Sequence, residues 1–418
     1  MATGRPEPSG LALRLALVRT LAWALLIGGW LVLGALGRQH LPLWAGGQAP
    51  VALWLVTMAG GLALLKDRRL SMPTLRMALV GTGGVAAAAL LALNHRSGPA
   101  GGWVLLASGA WGVLLLGASF CVQALRRAGT QRPPAPFSAA VAGAVLSWAV
   151  AGDLVAVSRS ADGVALAVLV AALAAAALAP HGVKAVSACR AGLFDCALHL
   201  PGWRPWRDPA QWPHLAAALV MLPMMAALSR MSEWCGADDG MALSAPATVA
   251  LHLGAMLLPA WGLNFTLRHG PQAAGLPAAV SPKLLRAGVA LAMLASGPVL
   301  LIWPGFAGLM AASLWQAVAW SLAWCLSMQA LPVPQRPTPP PTPPPASPLA
   351  SLWGFVGRIV PLAASGGAVL ALGVAMDAAG PDALATVHAT LAALAMAGAA
   401  WPLMRDRPVT PPTQEHPT

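Results

Sequence analysis

The chain has 418 residues, of which 58% are hydrophobic and 9% are charged, and its mean hydropathy is +0.69. A soluble domain carries about 25% charged residues, so this composition excludes an ordinary soluble protein and indicates a chain embedded in the lipid bilayer. The net charge of +12 does not indicate nucleic acid, because the cations stand beside apolar runs, where anionic lipid headgroups lie.

Twelve apolar runs follow one another along the chain. Each is about 17 to 25 residues long, which is enough for a helix to cross about 30 Å of hydrocarbon. The sequence therefore predicts an all-α fold, a polytopic integral membrane bundle of about 12 transmembrane helices. The runs begin near Leu21, Pro50, Met77, Trp103, Ser138, Gly163, His214, Ala247, Leu284, Gly305, Leu352 and Ala383.

Lysine and arginine residues predict how this bundle is oriented. Of the 25 cations, 21 fall on one side of the membrane when successive connections alternate, and the four on the other side are Arg38, Arg96, Arg159 and Arg230. Because cytoplasmic connections are rich in these residues, both termini are predicted to be cytoplasmic. The absence of tyrosine beside abundant alanine, tryptophan and arginine is typical of a GC-rich bacterial genome, which suggests a bacterial inner membrane.

Residues 1–180 hold the first six spans, and a cytoplasmic connection follows at 181–213. Apolar residues at helical spacing in this connection, with Trp203 and Trp206 after them, predict an interfacial amphipathic helix. A plain cytoplasmic loop is the alternative. The apolar set is Val183, Val186, Leu193, Phe194, Ala197 and Leu200.

The second part of the chain contains two proline-rich stretches, a linker between spans 10 and 11 and the C-terminal tail. Spans 7 to 10 occupy 214–330, a proline-rich cytoplasmic linker occupies 331–350, and spans 11 and 12 occupy 351–404. Dense proline favours an extended, semi-rigid rod, and the tail at 405–418 is predicted to be disordered. The spans divide either as six plus six around 181–213 or as ten plus two around the linker.

Three ionisable residues fall inside apolar runs, where a charge is costly and often functional. They are Asp153 in span 5, His252 in span 8 and His388 in span 12. All three lie in the predicted external halves of their spans and are candidates for contacts with a substrate or a proton. The alternative is that each lies at a span end, where water solvates it.

A second candidate set lies on spans 7 and 8. Met224, Met225, His252 and Met256 offer thioether and imidazole groups, which suit a soft ion such as Cu(I). The alternative is core packing, because methionine fills gaps between helices well. Beyond this candidate metal site, the sequence predicts no cofactor.

The stretch Lys66-Asp67-Arg68-Arg69, between spans 2 and 3, can be compared with the loop motif of the major facilitators. Ala63 stands where that motif has a glycine, and the connection after span 8 contains no copy. The sequence assigns no family on this basis.

Catalytic motifs are missing from the sequence: no paired carboxylates, phosphate-binding loop or nucleophile elbow appears. An enzyme is therefore disfavoured. The even number of spans, short external connections and in-span prolines favour a transporter-like permease for a small-molecule substrate. The alternatives are a non-catalytic membrane scaffold that assembles with a membrane-protein partner, and a copper-handling protein.

Overall fold

The computed structural model describes eight helices and two short strands. Outside their bounds it describes a few flanking residues and several positions between 299 and 378. The helices are α1 (Ser9–His40), α2 (Gln48–Leu64), α3 (Met72–His95), α4 (Ala100–Arg127), α5 (Pro136–Ala156), α6 (Asp162–Leu178), α7 (Ala245–His269) and α8 (Phe306–Gln329). The strands are β1 (Arg69–Ser71) and β2 (Ala185–Ser187).

The described helices confirm the predicted all-α bundle. By length and composition alone, α1, α3 and α4 can each cross a bilayer, and α2 and α6 are shorter apolar helices. Helices α2 to α8 begin within about five residues of predicted spans. The number of twelve spans stays a prediction, because spans 7 and 12, and all but a few positions of spans 9 and 11, lie outside the described residues.

The first helix begins earlier than predicted, at Ser9 rather than near Leu21. Arg14 and Arg19 indicated a boundary, yet both lie inside α1, and Arg19 is buried among its neighbours. With 32 residues α1 is about 48 Å long, which exceeds the hydrocarbon thickness.

Contacts between the first six helices fix their relative directions. Ser147 of α5 donates to the carbonyl of Ala24 on α1 at 2.8 Å, while a Cβ added to Gly143 would lie 2.8 Å from the Thr20 carbonyl. The residue numbers increase in the same direction along both helices, from Thr20 to Ala24 and from Gly143 to Ser147, so α1 and α5 are parallel. Helices α2 and α4 are parallel by the same argument, because Gly112 lies against Trp54 and Leu116 lies against Gly61.

Two other pairs are antiparallel. At one end of the α3–α6 pair Arg76 donates to the carbonyl of Ala179 at 2.9 Å, and at the other Asn94 donates to Asp162 at 2.9 Å. Helix α1 runs against α4, since Trp111 donates to the carbonyl of Leu25 while Gly101 lies against Leu41. These directions agree with the alternation that the cations predict.

Several contacts among the six helices follow an internal repeat of three, although the α3–α4 contact is far more extensive than its counterpart α1–α6. Exchanging α1 with α4, α2 with α5 and α3 with α6 converts the parallel pair α1–α5 into the parallel pair α4–α2. The same exchange leaves the extensive α1–α4 and α3–α6 contacts in place. Repeats of three helices within a six-helix half are a feature of transporter folds.

A two-stranded antiparallel ribbon joins the base of α3 to the segment after α6. Arg69 pairs with Ser187 and Ser71 with Ala185. The sequence predicted that Val186 belongs to an amphipathic helix within 181–213. That prediction is wrong for Ala185–Ser187, which forms a strand. The remainder of the predicted helix lies outside the described residues.

The later helices contact the first six at two described places. Trp261 of α7 donates to Ser138 of α5 at 3.3 Å. Gly366, in predicted span 11, lies against α2, where an added Cβ would be 3.2 Å from the carbonyl of Ala52. In predicted numbering these are contacts of span 5 with span 8 and of span 2 with span 11. Adding six to each span number, and counting again from one after twelve, converts the contact of spans 5 and 8 into the contact of spans 11 and 2.

Candidate functional site

Helices α7 and α8 carry a set of buried polar side chains, and we call this set the polar seam. All five of its members are at most 1% exposed, in helices that are otherwise strongly apolar. They are Thr248, His252, Ser313, Gln316 and Ser321.

Hydrogen bonds join the two helices of the seam at two levels. Nδ1 of His252 and Oγ of Ser313 are 2.7 Å apart, and the backbone N–H of Ala260 donates to Oγ of Ser321 at 2.8 Å. Both bonds span 61 residues, so α7 and α8 are parallel and in constant register. Eight residues separate the levels, which is about 12 Å along a helix.

Pro259 explains why the second level exists. A proline inside a helix has no N–H, so the Ala255 carbonyl loses its usual donor four residues later. The next N–H, that of Ala260, points to Ser321 on the neighbouring helix. Helix α7 is therefore interrupted beside the seam, and α8 satisfies part of the interruption.

Gln316 lies between the two levels, at the register position of Ala255. Its side chain is fully buried, and among the described residues neither its Nε2 nor its Oε1 has a hydrogen-bond partner. Nε2 of His252 is also without a partner in the part of the chain that the structure describes. Buried polar atoms normally have partners, so the middle of the seam has an unused capacity to bind a polar group.

A separate cavity of about 170 Å³ lies among α1, α4, α5 and α6. Its lining is almost entirely apolar, and the hydroxyl of Ser147 in its wall is already bonded to the carbonyls of Ala24 and Gly143. His252 is not among the lining residues. This cavity therefore has few groups that could form hydrogen bonds with a polar ligand.

The predicted trio of ionisable residues has three different outcomes. His252 is buried and bonded to Ser313, so it is not a solvated residue at a span end. Asp153 lies on α5, which packs against α7, but its side chain lies outside the described residues. His388 lies entirely outside them, so the structure does not test whether the three share a cavity.

The predicted copper set is only partly described. Met256 is buried one helical turn from His252 on α7, whereas Met224 and Met225 lie outside the described residues. Within the described part of the chain, no three His, Cys, Asp or Glu side chains form a metal-binding group.

A search for ionisable residues inside the spans does not reveal Ser313, Gln316 and Ser321, because their side chains carry no charge. Their spacing carried a signal, since positions 313, 316 and 321 fall on roughly one face of a helix. Gln316 was the clearest clue, because an amide side chain inside an apolar run has to find a partner.

Comparison with known proteins supports the fold and leaves the family open. No protein-family model and no curated protein matches the sequence. The structure resembles a peptide transporter POT variant in complex with sulfate, with TM-score 0.57 and 16% identity over 95% of this chain and 94% of that one.

Two further solved transporters are similar over nearly their whole length. The nucleoside transporter NupG variant gives TM-score 0.55 at 13% identity, covering 95% of this chain and 100% of that one. A variant of the E. coli fucose:proton symporter FucP gives 0.54 at 16%, covering 94% and 99%. The chain thus has the same overall fold as these solved membrane transporters, a polytopic bundle of helices. Since the three proteins are named for different solutes, the fold does not identify a substrate.

Proposed function

We propose that this protein is a multi-pass permease that moves a small solute across a bacterial inner membrane, and that the polar seam forms part of the solute path. The carrying observation is Gln316, which is fully buried with both amide atoms unpartnered among the described residues. Leaving such groups unsatisfied costs about 1 to 3 kcal/mol each. A solute group or water entering the seam offsets this cost.

The proposal divides the membrane domain as six plus six spans rather than ten plus two. The contacts α5–α7 and α2–Gly366, which interchange under a shift of six spans, support this division. The similarity to transporters over more than nine-tenths of the chain supports it as well. Solute movement then follows from rocking one half against the other around the seam.

Asp153 is the second proposed contact, as a carboxylate that accepts a proton or a polar solute group. In the predicted topology α5 and α7 run in opposite directions, and Ser138 and Trp261 meet. His252 and Ser147 each lie nine residues from that contact, so they share a depth, and Asp153 is about 9 Å further toward the outside. His388 is proposed for the same outer region on sequence grounds alone.

The test compares variants of equal membrane abundance without assuming a substrate. Cells expressing wild type, Gln316→Leu, His252→Ala or Asp153→Asn are profiled for all small metabolites inside and outside. Wild type should shift at least one metabolite, and the three variants should lose at least about 90% of that shift. Gln123→Leu is the matched control, because it makes the same change on α4, away from the seam. Normal activity of both Gln316→Leu and His252→Ala would refute the assignment.

A copper-handling role is the second candidate, and the unpartnered Nε2 of His252 one turn from buried Met256 favours it. Purified protein reconstituted with Cu(I) should then retain about one equivalent, and His252→Ala should retain none. If the wild-type protein retains no copper, this candidate fails while the permease proposal stands.

A further inference from the structure

We infer that the solute bound at the seam is uncharged and presents a hydrogen-bond donor and an acceptor side by side, as hydroxyl pairs do. This inference rests on the proposed permease function and deepens it by naming the chemical class of the solute. Charge, hydrogen-bonding groups and register in the described parts of α7 and α8 each support it.

The stretches of the two helices that form the seam, as far as their side chains are described, carry no fixed charge. Helix α7 from Ala247 to Gly262 and helix α8 from Ala307 to Ser321 contain no Asp, Glu, Lys or Arg. Moving an unpaired ion into such a place costs many kcal/mol. Helix α5, which packs against α7, contains one charged residue, Asp153, and the antiparallel register places it about 9 Å from the level of His252. Among the described residues, a charged solute would therefore find no counter-charge at the level of Gln316.

The free groups at this level are mixed in kind. The Gln316 amide offers two N–H donors and one carbonyl acceptor, and both its nitrogen and its oxygen are unpartnered among the described residues. His252 adds one nitrogen, whose role as donor or acceptor depends on which way the Ser313 hydroxyl bonds Nδ1. The Ala255 carbonyl, released by Pro259, adds an acceptor.

The constant register brings these groups within one helical turn of each other in depth. The offset of 61 residues places Gln316 opposite Ala255, and His252 lies three residues away, about 4.5 Å along α7. A primary amide next to a carbonyl matches two adjacent hydroxyl groups, since each hydroxyl both donates and accepts. Simple apolar solutes do not satisfy this set, and anions leave the acceptors unmatched.

The test uses three probes that share one carbon skeleton and differ in charge. The full-length protein in lipid nanodiscs is titrated with D-glucose, D-gluconate and D-glucosamine at about pH 6, where such an amine is protonated. Tryptophan fluorescence and thermal stability report binding. We expect glucose to bind at least about tenfold more tightly than either charged probe, a difference of about 1.4 kcal/mol.

Substitutions at Gln316 then test the site. Gln316→Asn keeps an amide and should keep the preference for glucose, whereas Gln316→Glu should shift the preference toward glucosamine. Gln123→Glu on α4 should change neither preference. Tighter binding of gluconate or glucosamine to the wild type, no binding of glucose, or an unchanged preference in folded Gln316→Glu overturns the inference. Metabolite profiling distinguishes failure of this inference from failure of the proposed function. If the protein transports only a charged solute, the permease proposal stands and the uncharged solute class is wrong.

Discussion

Ala260 and Ser321 are joined by a hydrogen bond from the backbone of one helix to the side chain of the other. The bond repeats, two turns further along, the spacing of the bond between His252 and Ser313. Two links of equal offset prevent α7 and α8 from sliding past each other. The spacing between the two links, with Gln316 at a position between them, is therefore fixed, and we expect the two helices to move as one body.

Ser313→Ala should destabilise the protein by about 1 to 2 kcal/mol, because it leaves both ring nitrogens of buried His252 without a partner among the described residues. Thermal unfolding in nanodiscs measures the change. Ser108→Ala is the matched control. Ser108 is equally buried, but its hydroxyl bonds the Val104 carbonyl of its own helix, so its loss should cost clearly less. Equal losses would show that the interhelical bond has no special weight.

Ser321→Ala should slow transport without changing solute affinity. The hydroxyl braces the interruption of α7 at Pro259 but lies about five residues from Gln316, so it does not enter the proposed contact. Uptake measured over a range of concentrations should give a lower maximal rate, by about two- to tenfold, with the half-saturating concentration unchanged. A raised half-saturating concentration would instead place Ser321 in the solute contact.

Gly83→Ala should destabilise the α3–α6 pair by about 1 to 3 kcal/mol, since a Cβ at Gly83 would overlap the Cβ of Ala172. Gly84→Ala is a control on the same helix, because nothing lies within 4 Å of a Cβ added there. Adding Ala172→Gly to Gly83→Ala should restore most of the lost stability. If the double variant is no better than Gly83→Ala, the two positions do not meet.

The sidedness of α3 and α6 can be tested with single cysteines in a variant whose native cysteines are replaced by alanine. Gly163, at the start of α6, and Thr74, at the start of α3, are both exposed. A membrane-impermeant maleimide applied to intact cells should label Gly163→Cys and leave Thr74→Cys unlabelled until the membrane is opened. The reverse pattern would invert the orientation that the cations predict.

Hydropathy alone predicted where most helices begin, because the length of an apolar run and the thickness of hydrocarbon are properties of the sequence and the bilayer. Helix α1 was the exception. Arg19 has the chemistry of a boundary residue, yet it is buried inside the bundle. A cation ends an apolar run in the sequence, but it does not end a helix.

The packing could not be predicted from the sequence. Gly83, Gly112 and Gly143 all allow two backbones to approach closely, but glycine is too common in this chain to reveal which helices meet. Strand β2 is three residues long, and its partner β1 precedes it by more than a hundred residues, so no local alternation marks it. The polar seam likewise depends on a register between two separate helices.

The ribbon of β1 and β2 has a mechanical consequence. Because Ala185 and Ser187 pair with Ser71 and Arg69, the segment after α6 is held next to the start of α3 as far as Ser187. On the proposed division into six plus six spans, the part of the connection between the two halves that this ribbon leaves unattached begins only after Ser187.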